Sequence, residues 1–191
     1  MIDDISGLLA QNIVAPGPLL IVLAGPNGSG KSTFFDVYLR ASGLQFVNAD
    51  EMAKALGGSA ALPDSYAAAR IADQVRRDLV ERRERFCMET VFSDPAGEKV
   101  SFLREARRDG YRVLLIAIRL ESPELSMARV QQRVETGGHD VPDEKLIARF
   151  PRTQTNIKTA LAFVDLALVF DNSRVDWPFQ HLETWVHGKP A

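Results

Sequence analysis

Residues Gly25–Ser32 read Gly-Pro-Asn-Gly-Ser-Gly-Lys-Ser and match G-x-x-x-x-G-K-[ST] at every fixed position, directly after the apolar run Leu19–Leu23. No other part of the chain constrains the fold as tightly. A strand must deliver the backbone to this loop and a helix must leave it, so that loop amides and the helix N-terminus face one anion. Glycines let the backbone curl around phosphate oxygens with no Cβ in the way. The Lys31 ammonium is a point charge for the β- and γ-phosphates, and the Ser32 hydroxyl is a ligand for Mg²⁺. The motif therefore predicts a nucleoside triphosphate site built from Gly25, Pro26, Asn27, Gly28, Ser29, Gly30, Lys31, Ser32 and Thr33.

Around that unit, apolar runs alternate with helix-period segments, the pattern of a parallel sheet covered by helices. Strands are expected at 18–24, 45–48, 86–91, 112–119 and 165–170. The first, fourth and fifth are nearly all apolar, as strands buried on both faces are. Ile71, Val75 and Leu79, then Val100, Leu103 and Ala106, predict two helices. Leu125, Val130 and Val134, then Leu146, Ile147, Phe150 and Ile157, predict two more. Ser122-Pro123-Glu124 reads as a capped helix start, and Gly57-Gly58-Ser59 and Gly137-Gly138-His139 read as loops. The expected architecture is an α/β protein of the P-loop type, a three-layer α/β/α sandwich around a mostly parallel five-stranded sheet. A single domain over 1–191 is expected, with no repeat or linker.

Composition excludes several function classes. A formal charge of −2 gives no reason to expect a nucleic acid partner. Arg76, Arg77, Arg82, Arg83 and Arg85 cluster, but Asp78, Glu81 and Glu84 lie among them, the pattern of a solvated helix face. One cysteine excludes an internal disulfide, and Cys87 in its apolar phrase reads as a buried strand thiol. The acidic N-terminus is unlike a signal peptide, and no apolar run approaches membrane-spanning length. A cytoplasmic protein with no membrane partner is expected, of undetermined oligomeric state.

What happens to the bound phosphate depends on the other residues. The N-K-x-D guanine motif of switching GTPases is absent, and the strand Val113–Ile118 ends in Arg119-Leu120-Glu121 rather than the Asp-Glu of motor ATPases. A small kinase fits better. It needs a carboxylate near the γ-phosphate to orient or deprotonate an acceptor hydroxyl, and two acids stand at strand ends. Asp50 follows Phe46-Val47-Asn48-Ala49, and Glu89, with Thr90 beside it, follows Phe86-Cys87-Met88. Asp50 could instead cap a helix beginning at Glu51. Either acid is also a candidate second ligand to Mg²⁺. Cations for the developing charge are offered by Arg129 and Arg133, four apart on one helix, and by Arg149 and Arg152 on the next. Two arginine-bearing helices joined by a glycine loop, over about 122–160, have the form of a closing lid.

Several phrases taken together carry a resemblance. They are Ala24–Thr33, Val47-Asn-Ala-Asp50, Glu89-Thr90 with Phe92-Ser93, Arg129-Val and Arg133-Val, Gly137–Pro142, Arg149-Phe150 and Asp171-Asn-Ser173. In this order they resemble the zeta toxin family of P-loop kinases, in its compact bacterial branch, over about residues 18 to 173. The resemblance implies an adenylate-kinase-like sandwich with a helical lid, using ATP and Mg²⁺. It implies Asp50 as catalytic base, Lys31, Arg133 and Arg149 on the transferring phosphates, and Arg129 and Asn172 at the nucleotide. It also implies substrate contacts from Asp50, Glu89 and Thr90. Zeta toxins phosphorylate a hydroxyl of UDP-N-acetylglucosamine and are held inactive by an antitoxin, so a sugar-nucleotide acceptor and an antitoxin partner are implied as well. The segment Glu51–Arg70 does not align with the sugar-nucleotide-binding part of that family, so the acceptor does not carry over. Three readings stay open: a kinase acting on a small-molecule hydroxyl, a nucleoside or antibiotic kinase, and a regulatory ATP-binding or ATP-hydrolysing module acting through a protein partner.

Overall fold

Six consecutive apolar residues, Leu19–Ala24, form β1, and every one of them is fully buried. The computed structural model describes residues 2–56, 65–137 and 140–191. The expected loop Gly57-Gly58-Ser59, and Gly138 and His139 of the second, lie outside the described residues. The helices are α1 (Ile2–Val14), α2 (Lys31–Phe34, continued by a π-helical turn Phe35–Leu39), α3 (Ala49–Leu56), α4 (Ser65–Glu81) and α5 (Glu98–Arg108). They are followed by α6 (Pro123–Glu135) and α7 (Asp143–Leu161). The remaining strands are β2 (Gln45–Val47), β3 (Phe86–Thr90), β4 (Arg112–Arg119), β5 (Leu166–Asp171), β6 (Gln180–Val186) and β7 (Lys189–Pro190).

Their order across the sheet is β2-β3-β1-β4-β5-β6-β7. The first five neighbours pair parallel, with Ala24 level with Thr90 on one side and Ala117 on the other. Side chains alternate across a strand, so β1 feeds two cores. Leu20, Val22 and Ala24 pack under α4, α5 and α7 through Ala72, Leu79, Leu103, Ile157 and Ala160. Leu19, Ile21 and Leu23 pack against Leu9 of α1 and against Phe34, Phe35 and Leu39. Three layers result, as expected. Winding reverses beside β1, because the chain leaves it toward β2 and later crosses from β3 to β4, which opens a crevice at the carboxyl ends of β1 and β3.

The sheet departs from expectation in its strand count. Among the described residues it has seven strands rather than five, the additional β6 and β7 pairing antiparallel beyond β5. Gln-His-Leu-Glu-Thr-Trp-Val lacks an apolar run because β6 lies near the sheet edge, half exposed, and β7 is only two residues long. Helix α1 was likewise not anticipated. Leu9 fixes it to the second core, and the guanidinium groups of Arg85 and Arg112 donate to the carbonyls of Ile13 and Asn12 at its carboxyl end. The arginine-rich stretch therefore divides. Arg77, Arg82 and Arg83 are solvated as expected, whereas Arg85 holds α1, and Arg76 is buried against Asp73 with its pKa lowered by that burial. Cys87 is buried on β3, where desolvation, and then the Glu89 charge, raise its pKa well above the usual thiol value. Among the described residues no helix is long and apolar enough to cross a membrane.

If α1 is an integral part of the second core, Leu9→Ala will lower unfolding free energy by about 2–4 kcal/mol, since a fully buried leucine leaves a cavity that the sheet cannot fill. Urea unfolding measures this, and a loss below about 0.5 kcal/mol would mean that α1 is only loosely attached.

Candidate active site

At the end of β1 the chain turns through Gly28 and Gly30 at φ 72° and 89°, values that side-chain-bearing residues avoid. Space is equally restrictive, because a Cβ at Gly30 would lie 2.6 Å from Asn172 Nδ2 and one at Gly28 would lie 2.9 Å from Arg129 Cβ. The loop carbonyls are held from outside. Ser126 Oγ donates to Asn27 O at 2.7 Å, Arg129 Nη1 to Gly28 O at 3.4 Å and Asn172 Nδ2 to Ser29 O at 2.9 Å. In a planar trans peptide the N–H points opposite to the C=O, so the Gly28 and Gly30 amides face away from those donors. Arg129 also donates to Ser173 O at 3.2 Å, and Asn172 Oδ1 accepts from Phe179 N at 3.1 Å. Arg129 and Asn172, read as nucleotide contacts, are thus bonded to the loop itself.

Lys31 opens α2 and is only 5% exposed. Its ammonium donates to Pro26 O at 2.9 Å and lies 3.8 Å from Glu89 Oε1. Burial lowers its pKa; Glu89 and then Asp50 oppose that shift, and Arg133 adds to it. Two carboxylates and an arginine from β3, α3 and α6 thus lie within electrostatic reach of one lysine. Glu89 is the hub of the polar contacts, its Oε2 accepting from Ser32 Oγ at 2.8 Å and from Asn48 Nδ2 at 2.9 Å.

Asn48 was missed as a site residue. Its Oδ1 accepts from the amides of Asp50 (2.8 Å) and Glu51 (3.4 Å), so Asn48 caps α3 while its other end holds Glu89. Asp50 is therefore not a cap; it is an exposed residue in the first turn of α3. An asparagine between an apolar strand and a helix was the available signal. Thr90 is buried and accepts from Phe92 N at 2.9 Å, so its hydroxyl supports the backbone after β3. Thr33 is exposed on α2, and Arg149, half-buried, lies on α7. Ser126 was also missed, a buried helix serine that looks unremarkable in sequence.

The donor set suits Mg²⁺. Ser32 and Glu89 offer hard oxygens side by side, and a magnesium ion bound by one carboxylate takes its remaining ligands from phosphates and water. Among the described residues no group of three or more His, Cys, Asp or Glu could hold a metal on its own. Ser32 and Glu89 would hold the ion only together with a bound nucleotide.

These features define a P-loop nucleotide-binding α/β protein. Residues 20–150 match the family model described as an AAA domain, and the chain belongs to that family. No curated protein matches the sequence. Among solved structures, the AvrRxo1-ORF1:-ORF2 complex with ATP contains a similar chain (TM-score 0.62, 18% identity), covering 97% of this chain and 64% of that one. A chain of the PezAT chromosomal toxin–antitoxin system of Streptococcus pneumoniae is similar over 95% of this chain and 80% of its own, at TM-score 0.62 and 15% identity. The Pnkp1/Rnl/Hen1 RNA repair complex contributes a third, at TM-score 0.60 and 18% identity, covering 90% of this chain and 50% of that one. The present chain thus spans less than two thirds of the AvrRxo1 chain that it matches. At these identities the likeness is one of fold, and in fold the resemblance to zeta-toxin-like P-loop kinases holds.

The double role of Asn48 has a measurable signature. Asn48→Ala will cost about 1–3 kcal/mol, through a lost cap and a lost donor to Glu89, while Asn48→Ser will recover about 1 kcal/mol by restoring the cap alone. Thermal melts of both variants check this, and equal stabilities would mean that α3 does not depend on the cap.

Proposed function

We propose that this chain is a single-domain, cytoplasmic kinase that moves the γ-phosphoryl group of ATP to a hydroxyl of a small metabolite. The observation that carries this reading is the Glu89 carboxylate, 3.8 Å from the phosphate-loop lysine and accepting from Ser32 and Asn48, with Asp50 and Arg133 within electrostatic reach of the same lysine. A module that merely sensed nucleotide would need the loop and lysine but no second carboxylate beside them. The solved AvrRxo1 complex contains ATP, which supports ATP as the nucleotide here.

The two acids differ in surroundings, and the difference supports a different role for each. Glu89 is 14% exposed, with one oxygen accepting two hydrogen bonds, which makes it a fixed positioning and metal-side group. Asp50 is exposed at the crevice edge, so it can meet an incoming hydroxyl and take its proton as the oxygen attacks phosphorus. Lys31, Arg133 and Arg149 offset charge on the transferring group, and the amides of the glycine loop hold the phosphates that remain with ADP. Bound Mg²⁺ supplies further neutralisation of the β- and γ-phosphates. Within the span of about 122–160, the part that acts as a lid lies between Arg129, which holds the glycine loop, and Thr153, where α7 is anchored. The acceptor in this reading is a hydroxyl compound, with a UDP-N-acetylglucosamine-type sugar nucleotide as the first to test. PezAT is a toxin–antitoxin system, which supports a protein antitoxin as a partner to look for.

Asp50→Asn is the test of the base. It will lower formation of phosphorylated product by about 10²-fold or more while ATP affinity stays within about threefold. Full activity in that variant would remove Asp50 as base. Arg133→Ala and Arg149→Ala will each lower kcat by about 10²-fold with a smaller effect on KM; undiminished turnover in both would show the lid arginines to be surface residues.

The buried lysine gives a second pair of readouts. Lys31→Met will lose nucleotide-induced stabilisation, and its own melting temperature will fall, because the largely buried Glu89 carboxylate is left without its counter-charge. Retained ATP protection in Lys31→Met would overturn the cradle assignment.

A further inference from the structure

Helix α7 carries Arg149 and Arg152, but its next turn touches the other side of the site. Buried Thr153 donates through Oγ1 to Val91 O at 2.8 Å, and Asn156 Nδ2 donates to Phe92 O and Asp94 O, each at 3.0 Å. Three of the four carbonyls from Val91 to Asp94 are thus held by one helix. The segment needs outside support. Phe92 sits at φ 60° with its ring buried, a left-handed conformation that its Cβ disfavours. Thr90 Oγ1 adds a local bond from the Phe92 amide at 2.9 Å. This strained turn comes three residues after Glu89, the carboxylate to which Ser32 and Asn48 both donate.

We propose that Thr153 and Asn156 are positioning residues that set the turn after Glu89, so that the helix bearing Arg149 and the strand-end acid keep one fixed relation during phosphotransfer. This rests on the phosphotransfer reading above. The physical argument is one of leverage. The second half of α7 is anchored, with Thr153, Ile157 and Ala160 buried, whereas the turn at 91–94 is held in place by those side-chain bonds rather than by sheet pairing. Removing them leaves partly buried carbonyls without donors and frees Phe92 to relax toward negative φ. The carboxylate of Glu89 would then lose its defined approach to Ser32, while the glycine loop, held separately by Ser126, Arg129 and Asn172, would not.

Thr153→Val removes the hydroxyl at nearly constant shape, Thr153→Ser keeps it, and Asn156→Leu removes the amide donor. All three are compared with wild type well below their melting temperatures. The probes are ATP and a small-molecule cell extract as the acceptor pool. Thr153→Val and Asn156→Leu will raise hydrogen exchange at amides 91–97 by about tenfold and lower the rate of product formation by about tenfold, with ATP affinity within about threefold of wild type. Thr153→Ser will behave as wild type in all three. Unchanged exchange at 91–97 would overturn the latch. Faster exchange with undiminished product formation would overturn the positioning role and leave a purely structural one. A wild type that binds ATP but forms no phosphorylated product defeats the phosphotransfer reading, and the exchange arm then reports separately on whether α7 holds the turn.

Discussion

A buried ammonium is the constraint around which this molecule is arranged. Lys31 is almost wholly removed from water, and burial of a charge is costly unless partners replace the lost hydration. The Pro26 carbonyl and the Glu89 carboxylate supply that replacement. Glu89 is then itself a largely buried charge, and it is satisfied by Ser32 and Asn48. Asn48 in turn caps α3. From one lysine, a chain of polar contacts thus links the glycine loop to β3, to the end of β2 and to the first turn of α3. Networks of this kind rigidify when every member is satisfied, and breaking one link exposes the others to the full cost of desolvation.

The second device is the grip on the outside of the glycine loop. Side chains from α6 and from the end of β5 take three successive loop carbonyls, so the protein's own contacts set the shape of the loop. Preorganisation of this sort avoids reorganisation at the moment of binding and of reaction. It also explains why the segment Asp171-Asn-Ser173, far along the chain, belongs with the motif at Gly25–Ser32: β5 ends level with β4, and Asn172 N donates to Arg119 O at 3.1 Å. The sheet places these ends together at the point where winding reverses, which is where parallel sheets offer a crevice.

Much of this was legible in the residues. The five parallel strands fall close to their expected places, and β1, β4 and β5 do so because each is an almost wholly apolar run, to which burial on both faces leaves few alternatives. Ser122 does cap α6, accepting from Leu125 N at 3.2 Å, as its proline neighbour suggested. What escaped reading was polar or amphipathic. Strand β6 alternates weakly because it is half exposed, α1 is held by one fully buried leucine and by two arginines far along the chain, Arg85 just before β3 and Arg112 on β4, and Arg76 looks like its solvated neighbours. At the site, Ser126 carries no signature of its own, and the place of Asn48 before a helix suggests a cap but not its bond to Glu89.

The sequence by itself determined the phosphate loop, the layer order and the two strand-end acids, because those depend on local chemistry: glycine's freedom of φ, the period of apolar residues and the position of a charge after an apolar run. Only the tertiary structure decided which acid is pinned and which is exposed, that Asn48 rather than Asp50 caps α3, and that Thr153 and Asn156 of α7 hold the turn after Glu89. Apart from the local cap, those contacts join residues tens of positions apart, and such pairings arise from the geometry of packed layers, which local sequence pattern does not encode.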